Sequence, residues 1–162
     1  MADRVTLASL GRARYYAEEV NAGRGQLLVV LLADGCEADA TLVDRLTLAE
    51  VLAVSANKEA AWTGGTAYQR KSYSGATAVA VNASTANDRV DLDITDPTWS
   101  TAGVATAPYK IAKIGVCFSP STAQNPQNTN IIPLSWLDFV ALTDGNNLSF
   151  AFDAAGFYRS QG

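Results

Sequence analysis

The clearest alternation of apolar and polar positions in this chain runs from Asn87 to Trp99, where Val90, Leu92 and Ile94 interleave with Asp91, Asp93 and Thr95. Successive side chains of a strand point to opposite faces, so this spacing predicts a strand with a branched apolar face toward the core and a carboxylate face toward water. Asp88 falls in the turn before it, and Asp96-Pro97 ends it because proline has no ladder donor. Leu27 to Leu32 differs: it is an unbroken apolar run between Gly25 and Asp34-Gly35, with the length and branching of a strand buried on both faces. The period then lengthens to three and four residues through Leu42, Leu46, Leu48, Val51, Leu52 and Val54. Thr47 and Glu50 form a T-x-x-E capping box at that point, so a short helix is expected over 48–55.

Downstream the pattern is β. After Gly64-Gly65, Tyr68, Arg70 and Ser72 alternate with Gln69, Lys71 and Tyr73, and further strands are expected over 76–81, 111–118, 131–142, 148–152 and 156–159. A loop rich in Ser, Thr, Asn, Gln and Pro spans 119–130, and Asp144-Gly145 reads as a tight hairpin turn into Leu148. Short strands separated by turn signals predict a mainly β domain over residues 25–162, an antiparallel sandwich or jelly-roll-like domain with one short helix. Residues 1–24 have no sustained period, although Tyr15 and Tyr16 could close a short helix near Gly23. Val5, Leu7, Leu10, Tyr15 and Tyr16 give this segment too little apolar surface to fold on itself and enough to dock on a partner. It reads as an N-terminal arm, with a frayed terminus as the alternative.

Composition narrows the function classes. A chain of 162 residues is long enough for one domain plus an arm and buries a core without staples. Charged residues are 17%, below the roughly 25% of an average soluble domain, and Ala, Thr, Asn and Ser take their place. Such a surface suits extensive contact with other protein, because little charge must be desolvated. A net charge of −4 and scattered Lys and Arg argue against tracking nucleic-acid phosphates. With no histidine, Ser-His-Asp and Cys-His catalysis and every histidine-ligated metal site are excluded. The apolar run at 27–33 is too short to span a bilayer, and Met-Ala-Asp-Arg-Val does not open a signal peptide, so synthesis in the cytoplasm is expected.

The candidate chemistry is sparse. Asp91 and Asp93, near Asp88 and Asp96, could hold calcium, yet no Asp-x-Asp-x-Asp-Gly loop supplies a wrap of ligands. A solvated or ion-paired strand face is preferred, with Arg70 and Lys71 as cross-strand partners. Gly64-Gly65 lacks the lysine and helix of a phosphate loop. Cys36 and Cys117 have no redox or zinc spacing; Cys117 reads as a small buried hydrophobe, and a disulfide between the two stays open. Trp99 and Trp136 sit in alternating apolar segments and are expected in the core. Trp62, in a Gly- and Thr-rich loop, is expected at an interface or edge.

Four pieces form a larger pattern: Asn57-Lys-Glu-Ala with Tyr68-Gln-Arg-Lys; Asn87-Asp-Arg-Val-Asp-Leu-Asp with Thr98-Trp99; Ile131-Ile-Pro-Leu with Asp138-Phe139; and Thr143-Asp-Gly with Ala154-Ala-Gly-Phe-Tyr-Arg. Their order and spacing, over about residues 26–159, resemble small β-rich structural proteins of tailed bacteriophages, encoded near the major capsid protein and assigned as head decoration, cement or head-fibre proteins. The resemblance implies no catalytic residues and no cofactor. It implies a virion protein on the outer surface of the head, probing no nucleic acid or membrane, that binds the major capsid protein as a homotrimer and bridges its subunits. A neck, tail or fibre component contacting the host is the neighbouring expectation. A carbohydrate-binding or carbohydrate-acting domain, using the tryptophans with Asp91 and Asp93, is the expectation from another class.

Overall fold

Leu27 to Leu32 form a strand without a wet face: in β2, Gln26–Ala33, each of these six residues is at most 1% exposed. The computed structural model describes residues 4–5, 12–84, 89–104, 106, 109–153 and 156–161. β2 pairs along its length with β7, Lys110–Ser119, which pairs in turn with β8, Ile132–Leu142. The short β1, Arg4–Val5, lies against Trp136 and Ser135 of β8, and β3, Lys71–Tyr73, lies on the far edge of β2. The sheet order is therefore β1-β8-β7-β2-β3, with antiparallel pairing throughout.

A sheet whose inner strand is apolar on both sides must be covered on both sides. Leu28, Val30 and Leu32 pack with Cys117 and Trp136 beneath Leu42 of α2, Asp39–Leu42, and Leu48 and Val51 of α3, Leu48–Ala53. Leu27, Val29 and Leu31 point the other way, into a cluster with Ile114, Val116, Phe118, Leu92 and Phe157. That side is closed by a second sheet of order β10-β5-β4, made of β4 (Ala80–Ser84), β5 (Arg89–Asp93) and β10 (Tyr158–Gln161). A two-stranded ribbon of β6, Thr98–Trp99, and β9, Leu148–Ser149, completes the antiparallel β architecture expected from the sequence. Gly156 carries the chain into β10 at φ 82°, and a Cβ there would overlap the Leu92 carbonyl.

The expected helix is α3, and the threonine half of its cap forms as read, Thr47 Oγ1 accepting from the Glu50 amide at 3.2 Å, while the Glu50 carboxylate reaches one residue past the N-cap to accept from the Leu46 amide at 2.9 Å. Two further α-helices form, of which the sequence anticipated only the one near Tyr15, Tyr16 and Gly23. α2 is held to the sheet by Asp39, which with Asp138 pairs with Lys113 of β7. α1, Ala13–Asn21, corrects the reading of residues 1–24 as an arm apart from the domain. Tyr16, Ala17 and Val20 of α1 are at most 4% exposed, and Tyr16 stacks on Phe118 with ring centroids 4.5 Å apart. Asn21 then acts as a piece of strand, donating to Val79 O at 2.9 Å and accepting from Val79 N at 3.0 Å. Tyr15, by contrast, is 56% exposed. Val5 contributes backbone pairing to β8, and Leu7 and Leu10 lie outside the described residues, as do Asn87 and Asp88.

The Asp144-Gly145 turn forms with the expected local chemistry, Gly145 at φ 86° and Asp144 Oδ1 accepting from the Asn146 amide at 3.0 Å. It does not make a hairpin. Ala102 donates to Asn146 O and accepts from Gly145 N, which swings β9 onto β6. Trp99 and Trp136 are core residues at 3% and 0% exposure, and the indole of Trp136 lies over Gly115, where any Cβ would overlap it. Both cysteines are free thiols. Among the described residues no helix is long and apolar enough to cross a membrane.

Because Tyr16 is a core residue, Tyr16→Ala is expected to lower the unfolding free energy by about 3–5 kcal/mol, the range for truncating a buried aromatic. Its exposed neighbour should tolerate the same change, Tyr15→Ala staying within about 0.5 kcal/mol of the parent in urea titrations.

Candidate functional site

The outer edge of β2 has two partners in succession. β3 pairs with Leu27, Leu28 and Val29, whereas the Leu31 and Ala33 end is met by residues 58–60, through Ala60 N to Leu31 O at 2.9 Å and Ala33 N to Lys58 O at 2.8 Å. Between the two, the Leu31 amide is taken by the Tyr68 hydroxyl at 3.0 Å. An exposed or partly buried groove of about 770 Å³ opens over this junction, walled by residues 59–61, by 68–72 and by the loop carrying Gln124, Asn125 and Pro126.

The floor of the groove is an ion pair. Arg70 grips Glu59 through Nε to Oε1 at 2.7 Å and Nη2 to Oε2 at 2.6 Å, and its Nη1 donates to Asn128 Oδ1 at 2.9 Å. A planar guanidinium matches a carboxylate in this two-point fashion, which fixes orientation as well as charge. Tyr68 adds a donor to the same Glu59 Oε1 at 3.0 Å. Burial opposes the charge of Arg70, but the hydrogen bonds and negative charge of Glu59 outweigh it and raise the guanidinium pKa. Burial, reinforced by Glu59, holds the Tyr68 phenol well above its ordinary 10.0. Each group is committed to a partner in its resting protonation state. That arrangement suits binding and positioning more than proton transfer.

Two tryptophans brace the segment that carries Tyr68. Trp62 Nε1 donates to Thr66 O at 2.8 Å and Trp99 Nε1 to Gln69 O at 2.8 Å, and both rings pack against Tyr68. Trp62 is 4% exposed, so it stands inside this chain rather than at the interface or edge expected for it. A ring that donates to a loop carbonyl and stacks on Tyr68 is anchored from within. All three tryptophans are interior, and none offers a ring face at the surface for a sugar to stack on.

The carboxylates singled out from the sequence lie elsewhere. Asp91 is 4% exposed and so not on a wet face; it lies on the middle strand of its sheet, in register with Asn82 on one side and Arg159 on the other. Asp93 is partly buried, which raises its pKa, and its Oδ1 accepts from the Ile94 amide at 2.9 Å. Their expected cross-strand partners are engaged elsewhere, Arg70 with Glu59 and Lys71 over the Trp99 ring at 5.8 Å. Among the described residues, no group of three or more His, Cys, Asp or Glu is placed to hold a metal ion. The placement of Tyr68, Arg70 and Ser72 on one side was legible from their alternation, but Glu59 and Asn128 carried no periodic signal. No protein-family model, curated protein or solved structure matches the chain.

Three weak acids near this edge, Cys117 buried and Tyr68 and Tyr73 partly buried, give the fold an alkaline limit. Burial pushes the Cys117 thiol from 9.0 up to about 12 and, with Asp96 nearby, the Tyr73 phenol from 10.0 up to about 12, in the same direction as Tyr68. A raised pKa means the folded state keeps a proton that the unfolded chain has already lost, so the contribution of Cys117 is intact below pH 9, that of the tyrosines below pH 10, and each falls as pH rises toward 12. The buried Cys117 adds a slope of about 1.4 kcal/mol per pH unit from pH 9, and the tyrosines steepen it above pH 10. Melting temperatures recorded across the window should fall steeply, and Cys117→Val should flatten the descent.

Proposed function

We propose that this chain is a non-enzymatic structural protein of a tailed-bacteriophage virion, a decoration or cement domain that sits on the outside of the head and ties major capsid subunits together. The feature that carries the reading is the ordered set of four sequence segments, from Asn57-Lys-Glu-Ala to Ala154-Ala-Gly-Phe-Tyr-Arg, whose order and spacing resemble those of such proteins. A surface with only 17% charged residues supports it, since a bridging protein must give up water over a wide area. The far end of β8 also supports it. Val140 is 76% exposed and Leu142 60%, and among the described residues β8 has no strand partner there on the side away from β7. Exposed apolar side chains beside an unpaired strand edge are the ordinary makings of a protein contact. In this reading the protein binds as a homotrimer at local threefold positions and acts by mass action, stabilising whichever capsid arrangement it recognises.

Heads assembled without the protein test this directly. Added protein should co-sediment with them and raise the temperature at which they burst. Val140→Lys with Leu142→Lys should weaken that binding by about tenfold or more, while leaving the melting temperature of the free protein unchanged. Co-sedimentation with tails and not with heads would move the protein to another station, and binding to neither would end the proposal.

A further inference from the structure

The groove over the β2 edge is a site that the capsid reading does not use, and its chemistry stands independently of that reading. Its walls carry Gln69, Ser72, Gln124 and Asn125, exposed side chains that take no hydrogen bond from any described residue. Its floor carries no excess charge, because Arg70 and Glu59 neutralise one another at 2.6 Å. An anion arriving there meets a guanidinium already paired, and a cation meets a carboxylate already paired. Arg70 still has donors in hand: of the five N–H groups of a guanidinium, three are engaged with Glu59 and Asn128.

Ordinary small-molecule pockets are lined mostly by apolar and aromatic side chains, and this one is not. Peptide-binding grooves offer a backbone edge and pockets for alternate side chains, whereas only Ala60, Ala61 and Pro126 supply small apolar surface here. Carboxamides present a donor and an acceptor side by side, and a hydroxyl is also both at once, so amide walls match a ligand dense in hydroxyl groups. We propose that the groove binds a neutral oligosaccharide. About 770 Å³ lies within the roughly 300–1,000 Å³ range of ligand sites, and its open form lets a longer chain run on past it. The site is built in advance: Trp62 and Trp99 fix one wall, and Gln26 Nε2 fixes the loop of the other by donating to Ser121 O at 2.8 Å and Ala123 O at 2.7 Å. Preorganisation of this kind reduces the ordering cost of binding.

The side-chain amide resonances of Gln69, Gln124, Asn125 and Asn128 are direct probes. The full chain, labelled with ¹⁵N, would be titrated with maltohexaose, cellohexaose, laminarihexaose and chitohexaose. At least one should produce saturable shifts centred on those amides, with a Kd on the order of 1 mM or tighter. The double variant Gln124→Ala with Asn125→Ala should weaken that binding about tenfold, with an unchanged melting temperature because both side chains are exposed. Saturable binding lost in the variant supports the inference. Absence of saturable shifts with all four sugars overturns it, as do shifts that centre elsewhere, binding that survives the double variant, or preference for a polygalacturonate hexamer over every neutral one.

Discussion

Everything in this fold follows from a strand that has no face to give to water. The residues from Leu27 to Leu32 place three apolar side chains on each side of the main sheet, and β7 repeats the demand with Ile114, Val116 and Phe118 on one side and Cys117 on the other. A single layer cannot satisfy this. The helices α2 and α3 cover one side, while α1 and the three-stranded sheet cover the other. Even Lys113, on the helical side of β7, reaches solvent only through carboxylates at Asp39 and Asp138, so its charge remains paired where it emerges.

The same strand explains where the groove lies. One edge of β2 is taken up by β7, and the other is met first by β3 and then by residues 58–60, two segments that leave a gap between them. A buried amide in that gap would be costly, and the Tyr68 hydroxyl takes it. Tyr68 then needs an acceptor for its own proton, which Glu59 provides, and Glu59 needs a cation, which Arg70 provides. The groove floor is the end of a chain of obligations that starts at one backbone N–H. Because that chain is internally satisfied, the groove presents neutral polar walls to the outside.

What could be read from the sequence was whatever local physics determines. The two-faced burial of β2, the capped helix α3 and the interior positions of Trp99 and Trp136 rest on run length, capping and alternation within single segments. A short helix near Tyr15 and Tyr16 was legible, but its docking in the core was hidden because its buried positions, Tyr16, Ala17 and Val20, make a stripe too narrow to register in nine residues whose other members are mostly polar. Alternation also sets Asp91 opposite Leu92, but no period reveals that β5 is flanked on both sides or that Asp91 is buried. The Asp144-Gly145 turn shows the same limit, since turn chemistry sets φ and the Asx contact and is silent on which strand the chain joins next. The pairing of Arg70 with Glu59 and Asn128 belongs to this class of facts that lie outside any single segment.

The three tryptophans are interior to a similar degree, yet their indole N–H groups are not equivalent. Those of Trp62 and Trp99 are hydrogen-bonded to backbone carbonyls, whereas that of Trp136 has no partner among the described residues and its ring lies on Gly115 amid Leu, Ile and Val. An indole excited in such surroundings has few dipoles able to relax around it, so the emission of Trp136 is expected further to the blue than that of the other two. The chain thus carries its own optical gauge of how tightly the helical layer is seated on the sheet, distinct from the signal of the groove.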